Sequence, residues 1–360
     1  MKLTLKVKLL PTQEQAGLLL QTMKKANAVC NAISDIAWEN KVFNQFKIHN
    51  LCYHGFKSTF NLSAQMLVRC ISKVADAYKL DKKRKRSFRP IGAITYDSRI
   101  LSYKDFTVSI WAIGGRLKIP FVCHNPKYIH YIKGEADLVY NKEKFYLFQT
   151  VDIPDGEIKD VEEFIGVDFG LTDIVVTSDG IKHTADTLNQ YREQRQKVRS
   201  SIQSKGTKGA KKLLKRLKGR ERTHATIINH TIAKSIVLSA KRQGKGVAIE
   251  DLTNIRFTSK RRNKKFRTKL GRWSFAQLRS FIAYKSALNG VELVVVEPAY
   301  TSQTCSCCHH IGTRKNKSFK CQNCGADMDA DINAAINIAS LGASINKPEK
   351  PGMYCSLHTA

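Results

Sequence analysis

Residues 300–341 read YTSQTCSCCHHIGTRKNKSFKCQNCGADMDADINAAINIASL. Two Cys-x-x-Cys pairs, Cys305/Cys308 and Cys321/Cys324, frame a short basic loop. Asp327-Met-Asp-Ala-Asp331 comes next and leads into an apolar segment of helical period. Four thiolates at this spacing suit a closed tetrahedral Zn²⁺ site, which has no open position and is therefore structural. The stretch thus sets a metal knuckle beside an acidic helix start. Cys307 lies inside the first pair and competes as a ligand, whereas His309 and His310 read as loop residues. Arg314, Lys315, Lys317 and Lys320 lie between the pairs and are expected to meet phosphate.

The rest of the composition points the same way. The chain has 360 residues, 61 Lys and Arg against 30 Asp and Glu, and a formal net charge of +31. Apolar residues make up 42%, as in folded proteins. Such a charge calls for an anionic partner, and a polyphosphate fits it. A membrane does not: there is no apolar run of about 18 residues and no basic amphipathic anchor. Met1–Leu10 alternates charged and apolar residues, so no secretion signal is read. Ten cysteines in an unexported chain imply reduced thiols. Cys30, Cys52, Cys70, Cys123 and Cys355 are taken as scattered core or surface thiols. A cytoplasmic, nucleoid-associated prokaryotic protein is expected.

Upstream, Leu3, Leu5, Val7 and Leu9 alternate as in a half-buried strand. Thr12 with Gln15 has the form of a capping box. Residues 13–80 carry helical stripes, with His49 and His54 as surface or loop residues. Lys82–Arg89 (KKRKRSFR) is either a solvated linker or, with Phe88 in it, a nucleic-acid contact. Strands are predicted at 94–96, 106–111, 117–121, 136–140 and 144–150, with a Gly114-Gly115 turn. A β-barrel interrupted by a helical insertion accounts for residues 1–155, with a boundary at Asp155-Gly156.

Beyond it, Phe164–Gly170 reads as a strand ending in glycine. Ile174–Thr177 and the Asp179-Gly180 turn make a hairpin. A long helical region covers 186–243, basic in its first half, with Ile228, Ile232, Ile236 and Ala240 on one face in its second. Val247–Leu252 and Val291–Val296 are buried strands, and 273–287 is an amphipathic helix after the cationic run 260–272. Strands alternating with helices give a mixed α/β plan.

Three carboxylates stand out on this plan. Asp168 sits in an apolar strand, where an acid is costly unless paired or metal-bound. Glu250 ends another, and Asp331 opens the helix carrying Ile332, Ala335, Ile336 and Ala339. Converging acids raise each other's pKa, and a divalent cation removes the penalty. Two such cations about 3.5–4 Å apart activate water and stabilise the leaving oxygen in phosphodiester cleavage, and hard oxygen ligands favour Mg²⁺ or Mn²⁺. Spacing alone leaves alternatives open. Asp331 or Asp329 can cap the helix, Asp168 can serve its turn, Glu250 or Asp251 can pair with Arg, and Asp173 is a further near-miss. His183, His224 and His230 are read as satisfied structural histidines. No Ser-His-Asp set, Walker loop or Rossmann glycine pattern occurs.

At Gly166–Leu171, Ile249–Leu252, 273–278, Pro298–Cys305 and Asp329–Ala335 the sequence resembles the TnpB (OrfB) family of insertion-sequence proteins, compact relatives of type V CRISPR effectors. Ser87–Pro90 and Gly92–Tyr103 resemble the family's N-terminal half. The resemblance implies a multidomain fold, α+β and α/β. A β-barrel wedge domain (1–155) carries a helical recognition insertion (about 12–85). An RNase H-like RuvC domain (156–300 and helix 329–345) is split by a zinc ribbon (301–328), and a disordered tail (346–360) ends the chain. It implies a guide RNA, a target DNA read beside a short flanking motif, and Mg²⁺-dependent cutting. Asp168, Glu250 and Asp331 become the acids, with Asp331 preferred to Asp329, and Cys305, Cys308, Cys321 and Cys324 the zinc ligands. His309 stands where the family usually has Gly, which strains the turn. A non-cleaving nucleic-acid-binding regulator on the same fold is the alternative. A DNA-joining transposase lacks a tyrosine or serine recombinase constellation.

Overall fold

A computed structural model describes residues 1–217, 219–252 and 275–346. The cationic run 260–272, Trp273, Cys355 and the tail beyond 346 lie outside the described residues. The chain divides into two compact units, Met1–Pro154 and Asp155 onward.

In the first unit β1 (Lys2–Leu9) buries Leu5, Val7 and Leu9 on one face, as its alternation predicts. Thr12 and Gln15 form the reciprocal capping box that starts α1 (Gln13–Glu39). The helices α2 (Gln45–Thr59) and α3 (Ala64–Leu80) come after it. His49 and His54 lie on α2 rather than in a loop, and both remain at the surface.

Six more strands complete a sheet: β2 (Ile94–Tyr96), β3 (Leu101–Lys104), β4 (Thr107–Ala112), β5 (Gly115–Cys123), β6 (Ile132–Asn141) and β7 (Lys144–Asp152). Their order is β2-β6-β7-β1-β5-β4-β3. The two edge strands are consecutive in the chain, joined only by residues 97–100. The Trp111 amide donates to the Ile100 carbonyl at 2.9 Å, and the Tyr96 hydroxyl donates to the Trp111 carbonyl at 3.1 Å. The sheet therefore curls until its edges almost meet, a near-barrel. Strand β3 has no counterpart in the sequence reading.

The basic run 82–89 is not a solvated linker. Asn27, Asn31 and Ser34 make a polar stripe along α1 that grips the backbone from Arg86 to Gly92. Ser34 donates to the Arg86 carbonyl at 2.7 Å. Asn31 accepts from the Phe88 amide at 2.7 Å and donates to its carbonyl at 3.0 Å. Asn27 donates to the Pro90 and Gly92 carbonyls at 3.2 and 2.9 Å. Lys82, Lys83, Arg84, Lys85 and Arg89 stay exposed.

The second unit holds a five-stranded sheet of β8 (Phe164–Asp168), β9 (Asp173–Thr177), β10 (Lys182–Thr184), β11 (Gly246–Glu250) and β12 (Leu293–Val296). Its order is β10-β9-β8-β11-β12, with β8, β11 and β12 parallel and β9 and β10 antiparallel. Helices α4 (Asp186–Ser204), α5 (Lys208–Leu217) and α6 (Arg220–Gln243) lie between β10 and β11. Ile232, Ile236 and Ala240 of α6, with Leu278 and Ile282 of α7 (Phe275–Asn289), cover one face through Ile165, Val167, Val247 and Ile249. The other face takes the last helix, α8 (Ala330–Asn346), through Phe164, Ala248 and Ile338. Both faces are covered, so the parallel strands read as unbroken apolar runs.

Gly166 explains how α8 comes so close. A Cβ there would lie 1.9 Å from the Ala335 carbonyl oxygen and 2.5 Å from the Ala339 nitrogen. From the helix side, a Cβ on Gly342 would meet the Ala248 Cβ at 2.6 Å. The obstruction at Gly166 is backbone, which cannot rotate aside. Gly166→Ala should cost about 3 kcal/mol or more. Urea unfolding followed by the fluorescence of this unit checks it; a loss below about 1 kcal/mol would mean that α8 can be displaced freely.

Candidate active site and metal knuckle

Strands β8 and β11 run parallel with Val167 beside Ile249. The next residue on each strand, Asp168 and Glu250, therefore stands at the same edge of the sheet. Glu250 is buried and Asp168 half-buried. Asp331, also buried, enters from the first turn of α8. The Asp329 carboxylate accepts from the Asp331 and Ile332 amides at 2.9 and 3.3 Å and so caps that helix. Asp329 also pairs with Lys182 at 2.6 Å. Burial works against it, but Lys182 and the two amides hold its carboxyl below the ordinary range. The cap is thus made by Asp329, and Asp331 pairs instead with Arg314 at 2.7 Å.

The three acids share one electrostatic problem. Burial, then the Glu250 and Asp331 carboxylates, push Asp168 up to about 7, against the pull of Arg314 and the Phe169 amide. Burial raises Glu250 as well, opposed by the Thr301 hydroxyl and Arg314. Thr301 donates to the Glu250 Oε1 at 2.5 Å. Arg314 donates to the Asp331 Oδ1 at 2.7 Å. The donors are hard oxygens of the kind a divalent cation takes, but among the described residues only the four cysteines bring their ligand atoms within 4.8 Å of one another. The near-misses are occupied otherwise. Asp173 pairs with Lys317, whose Nζ is also 3.9 Å from Asp331, and Asp251 pairs with Arg279 at 2.6 Å.

Arg314 and Lys317 come from a small hairpin, β13 (Thr313–Lys315) and β14 (Ser318–Lys320), closed by β15 (Asp327–Asp329). The four cysteines lie at its base. Their sulfurs all fall within 4.8 Å of one another, with Cys305–Cys324 at 3.6 Å and Cys308–Cys321 at 3.5 Å. Bonds of about 2.3 Å in a tetrahedron place sulfurs about 3.8 Å apart, so the donor set fits Zn²⁺. Although the Ala326 amide pulls it down, Cys324 is pushed up to about 12, chiefly by the neighbouring thiols. A cation removes that repulsion. Cys307 is exposed and outside the cluster; its amide donates to the Cys305 sulfur at 3.4 Å. His309 adopts φ +61°, the left-handed turn that glycine would take without strain.

Two histidine readings need correction. The buried Nε2 of His183 and Nδ1 of His224 have no hydrogen-bond partner among the described residues. His224 stacks on Tyr191, with ring centroids 4.1 Å apart. His230 is satisfied: its Nδ1 lies 3.2 Å from the Tyr284 hydroxyl, and it stacks on Phe281. The sequence reading also gave Thr301 no role and took Arg314 as a phosphate contact only. The i, i+4 pair Asn333 and Asn337, on an otherwise apolar helix, was the available signal that this helix face meets polar backbone.

Residues 275–338 match the family model described as Cas12f1-like, TNB domain. A TnpB-like protein of Methanocaldococcus jannaschii is 31% identical over 170 residues, 46% of this chain and 61% of that protein. The Cas12f1 CRISPR-associated endodeoxyribonuclease of Sulfoacidibacillus thermotolerans is 33% identical over 221 residues, 55% of this chain and 50% of its own. The chain thus spans half to three-fifths of the length of these curated relatives. The structure of a Cas12f1–sgRNA–target DNA complex shares the fold, with a TM-score of 0.63 over 91% of this chain and 83% of that one, at 17% identity.

The raised Asp168 carboxyl gives a signed pH prediction. Below about pH 4 it is neutral whether the chain is folded or not. Ionisation then disfavours folding increasingly until about pH 7, by up to roughly 4 kcal/mol. Asp168→Asn should therefore change stability little at pH 4 and raise it by a few kcal/mol at pH 8 in magnesium-free buffer. Denaturant unfolding at the two pH values decides it, and an equal gain at both would contradict the burial and repulsion at this edge.

Proposed function

This chain is a relative of the TnpB proteins and, with them, of the type V CRISPR effectors, and on that premise we propose that it is an RNA-guided DNA endonuclease of a transposable element. The observation that carries the reading is the meeting of Asp168, Glu250 and Asp331 at one sheet edge, with Asp168 pushed up to about 7 by burial and by the other two acids. These three would hold Mg²⁺ or Mn²⁺, which supplies two-metal phosphodiester hydrolysis: an activated water and a stabilised leaving oxygen.

The chain's own groups do the rest. Thr301 fixes one oxygen of Glu250 by hydrogen bond. Asp329 holds the start of α8 and so the direction of Asp331. Arg314 offers a planar cation beside the acids, suited to a non-bridging phosphate oxygen. The net charge of +31 serves a guide RNA and target DNA held by their backbones. Lys82, Lys83, Arg84 and Lys85 in the first unit are exposed, as are Lys211, Lys212 and Lys215 on α5 in the second, and each set adds to that charge. Sequence selection then rests with base pairing, so the protein needs no base-reading helix.

The domain reading accords with this: a wedge barrel over 1–155 with its helical insertion, and a RuvC-like nuclease over 156–300 and 329–345. The ribbon at 301–328 is held by structural Zn²⁺ on Cys305, Cys308, Cys321 and Cys324.

Three outcomes are expected. Expressed with its genomic flank, the chain should co-purify with one RNA species carrying adjoining sequence. With that RNA, Mg²⁺-dependent cutting of matched DNA should fall by at least about a thousandfold in Asp168→Ala while binding persists; undiminished cutting by this variant sinks the assignment. A binding protein that never cuts under any divalent cation points to the regulator instead. Separately, metal analysis of pure protein should find one zinc per chain. Cys305→Ser should lose it and loosen the hairpin that carries Arg314. A zinc-free wild type would exclude the knuckle as a zinc site.

A further inference from the structure

The segment leading into the metal knuckle is held by residues 310–312 on one side, where the Gly312 amide donates to the Gln303 carbonyl at 2.9 Å, and by α8 on the other. Residues 301–304 come after a turn at Tyr300, φ +60°, in which the Gln303 and Thr304 amides donate to the Tyr300 carbonyl at 2.9 and 3.0 Å. Two asparagines one turn apart on α8 grip the backbone from Thr301 to Ser306. Asn337 Nδ2 donates to the Thr301 carbonyl at 2.8 Å and to the Thr304 carbonyl at 2.7 Å. Asn333 Nδ2 donates to the Thr304 carbonyl at 2.7 Å, and its Oδ1 accepts from the Ser306 amide at 2.9 Å. Thr301, Asn333 and Asn337 are all buried.

The Thr301 side chain turns to Glu250 instead. Its hydroxyl has one proton. The Pro298 carbonyl lies 3.4 Å away and the Glu250 Oε1 2.5 Å, so the proton goes to Glu250. Glu250 is also faced by Asp168 from β8 and by Arg314 from the hairpin. Of the groups named, Thr301 alone fixes a single Glu250 oxygen by a short neutral hydrogen bond. The other oxygen carries no hydrogen bond from Thr301. One helix thus presents Asp331 directly and sets the aim of Glu250 through Asn337 and Thr301.

We propose that Thr301 is a positioning residue for Glu250, held by Asn337, and that it fixes which carboxylate oxygen Glu250 turns toward a divalent cation and the reacting phosphate. This rests on the nuclease reading above. Outer partners that hydrogen-bond a ligating carboxylate typically change metal affinity or activity about 10–100-fold. A knuckle scaffold residue would instead act on zinc content and folding.

The test separates the two. Mn²⁺ is titrated calorimetrically into the zinc-loaded full chain, and cutting of guide-matched DNA is measured alongside. Thr301→Val keeps the shape and removes the hydroxyl. It should weaken Mn²⁺ binding about tenfold and lower kcat by about 10–100-fold, leaving KM for DNA and the zinc content unchanged. Thr301→Ser should recover most of both losses. In a Glu250→Gln background, Thr301→Val should add nothing to the Mn²⁺ defect. The proposal is overturned if Thr301→Val binds Mn²⁺ like the wild type, if serine loses as much as valine, or if the effect persists undiminished without Glu250. Should valine disturb the knuckle, Thr301→Ala gives the same comparison, and zinc loss in both makes Thr301 a scaffold residue. If Asp168→Asn leaves Mn²⁺ binding intact, the nuclease reading itself falls, a result distinct from each of these.

Discussion

The backbone of the last helix lies against the backbone of a central strand, and everything at the acidic edge depends on that contact. Gly166 makes it possible, because any Cβ there would lie inside the Ala335 carbonyl. The same helix carries Asp331 at its first turn and Asn333 and Asn337 further along. Its distance from the sheet therefore sets where the third acid stands and how firmly the 301–306 segment is gripped. A few tenths of an ångström lost at the glycine would be passed to all of these, since close-packed interiors transmit displacement rather than absorb it.

Charge balance is the second constraint. Burying three carboxylates at one edge is unfavourable, and the fold answers with cations from a hairpin whose own shape depends on four cysteines. Arg314 reaches Asp331, while Lys317 reaches Asp173 and comes near Asp331. The knuckle and the acid cluster are thus electrostatically one unit. That explains why they are adjacent in sequence: a hairpin that must return its cations to the start of α8 is most simply placed just before it.

Much of this was legible from the chain. Asp168 and Glu250 announce themselves as acids closing apolar strands, and doubled Cys-x-x-Cys spacing is hard to misread. The choice between Asp329 and Asp331 is physical once seen: a cap must accept the amides that come after it, and Asp329 does. Other features were hidden for physical reasons. Strand β3 reads Leu-Ser-Tyr-Lys and buries only Leu101, so no alternation of apolar residues marks it. The role of Thr301 depends on a partner 51 residues away, and no local pattern encodes that. His183 and His224 were taken as satisfied because buried polar groups usually are; each has one ring nitrogen without a partner among the described residues.

The stripe of Asn27, Asn31 and Ser34 holds the basic segment only by its main chain. Recognition of this kind is indifferent to the side chains being held. The path of residues 86–92 across α1 is therefore set by main-chain contacts, while Lys85 adds an ion pair to Asp35 at 2.8 Å and the Phe88 ring lies under Lys73.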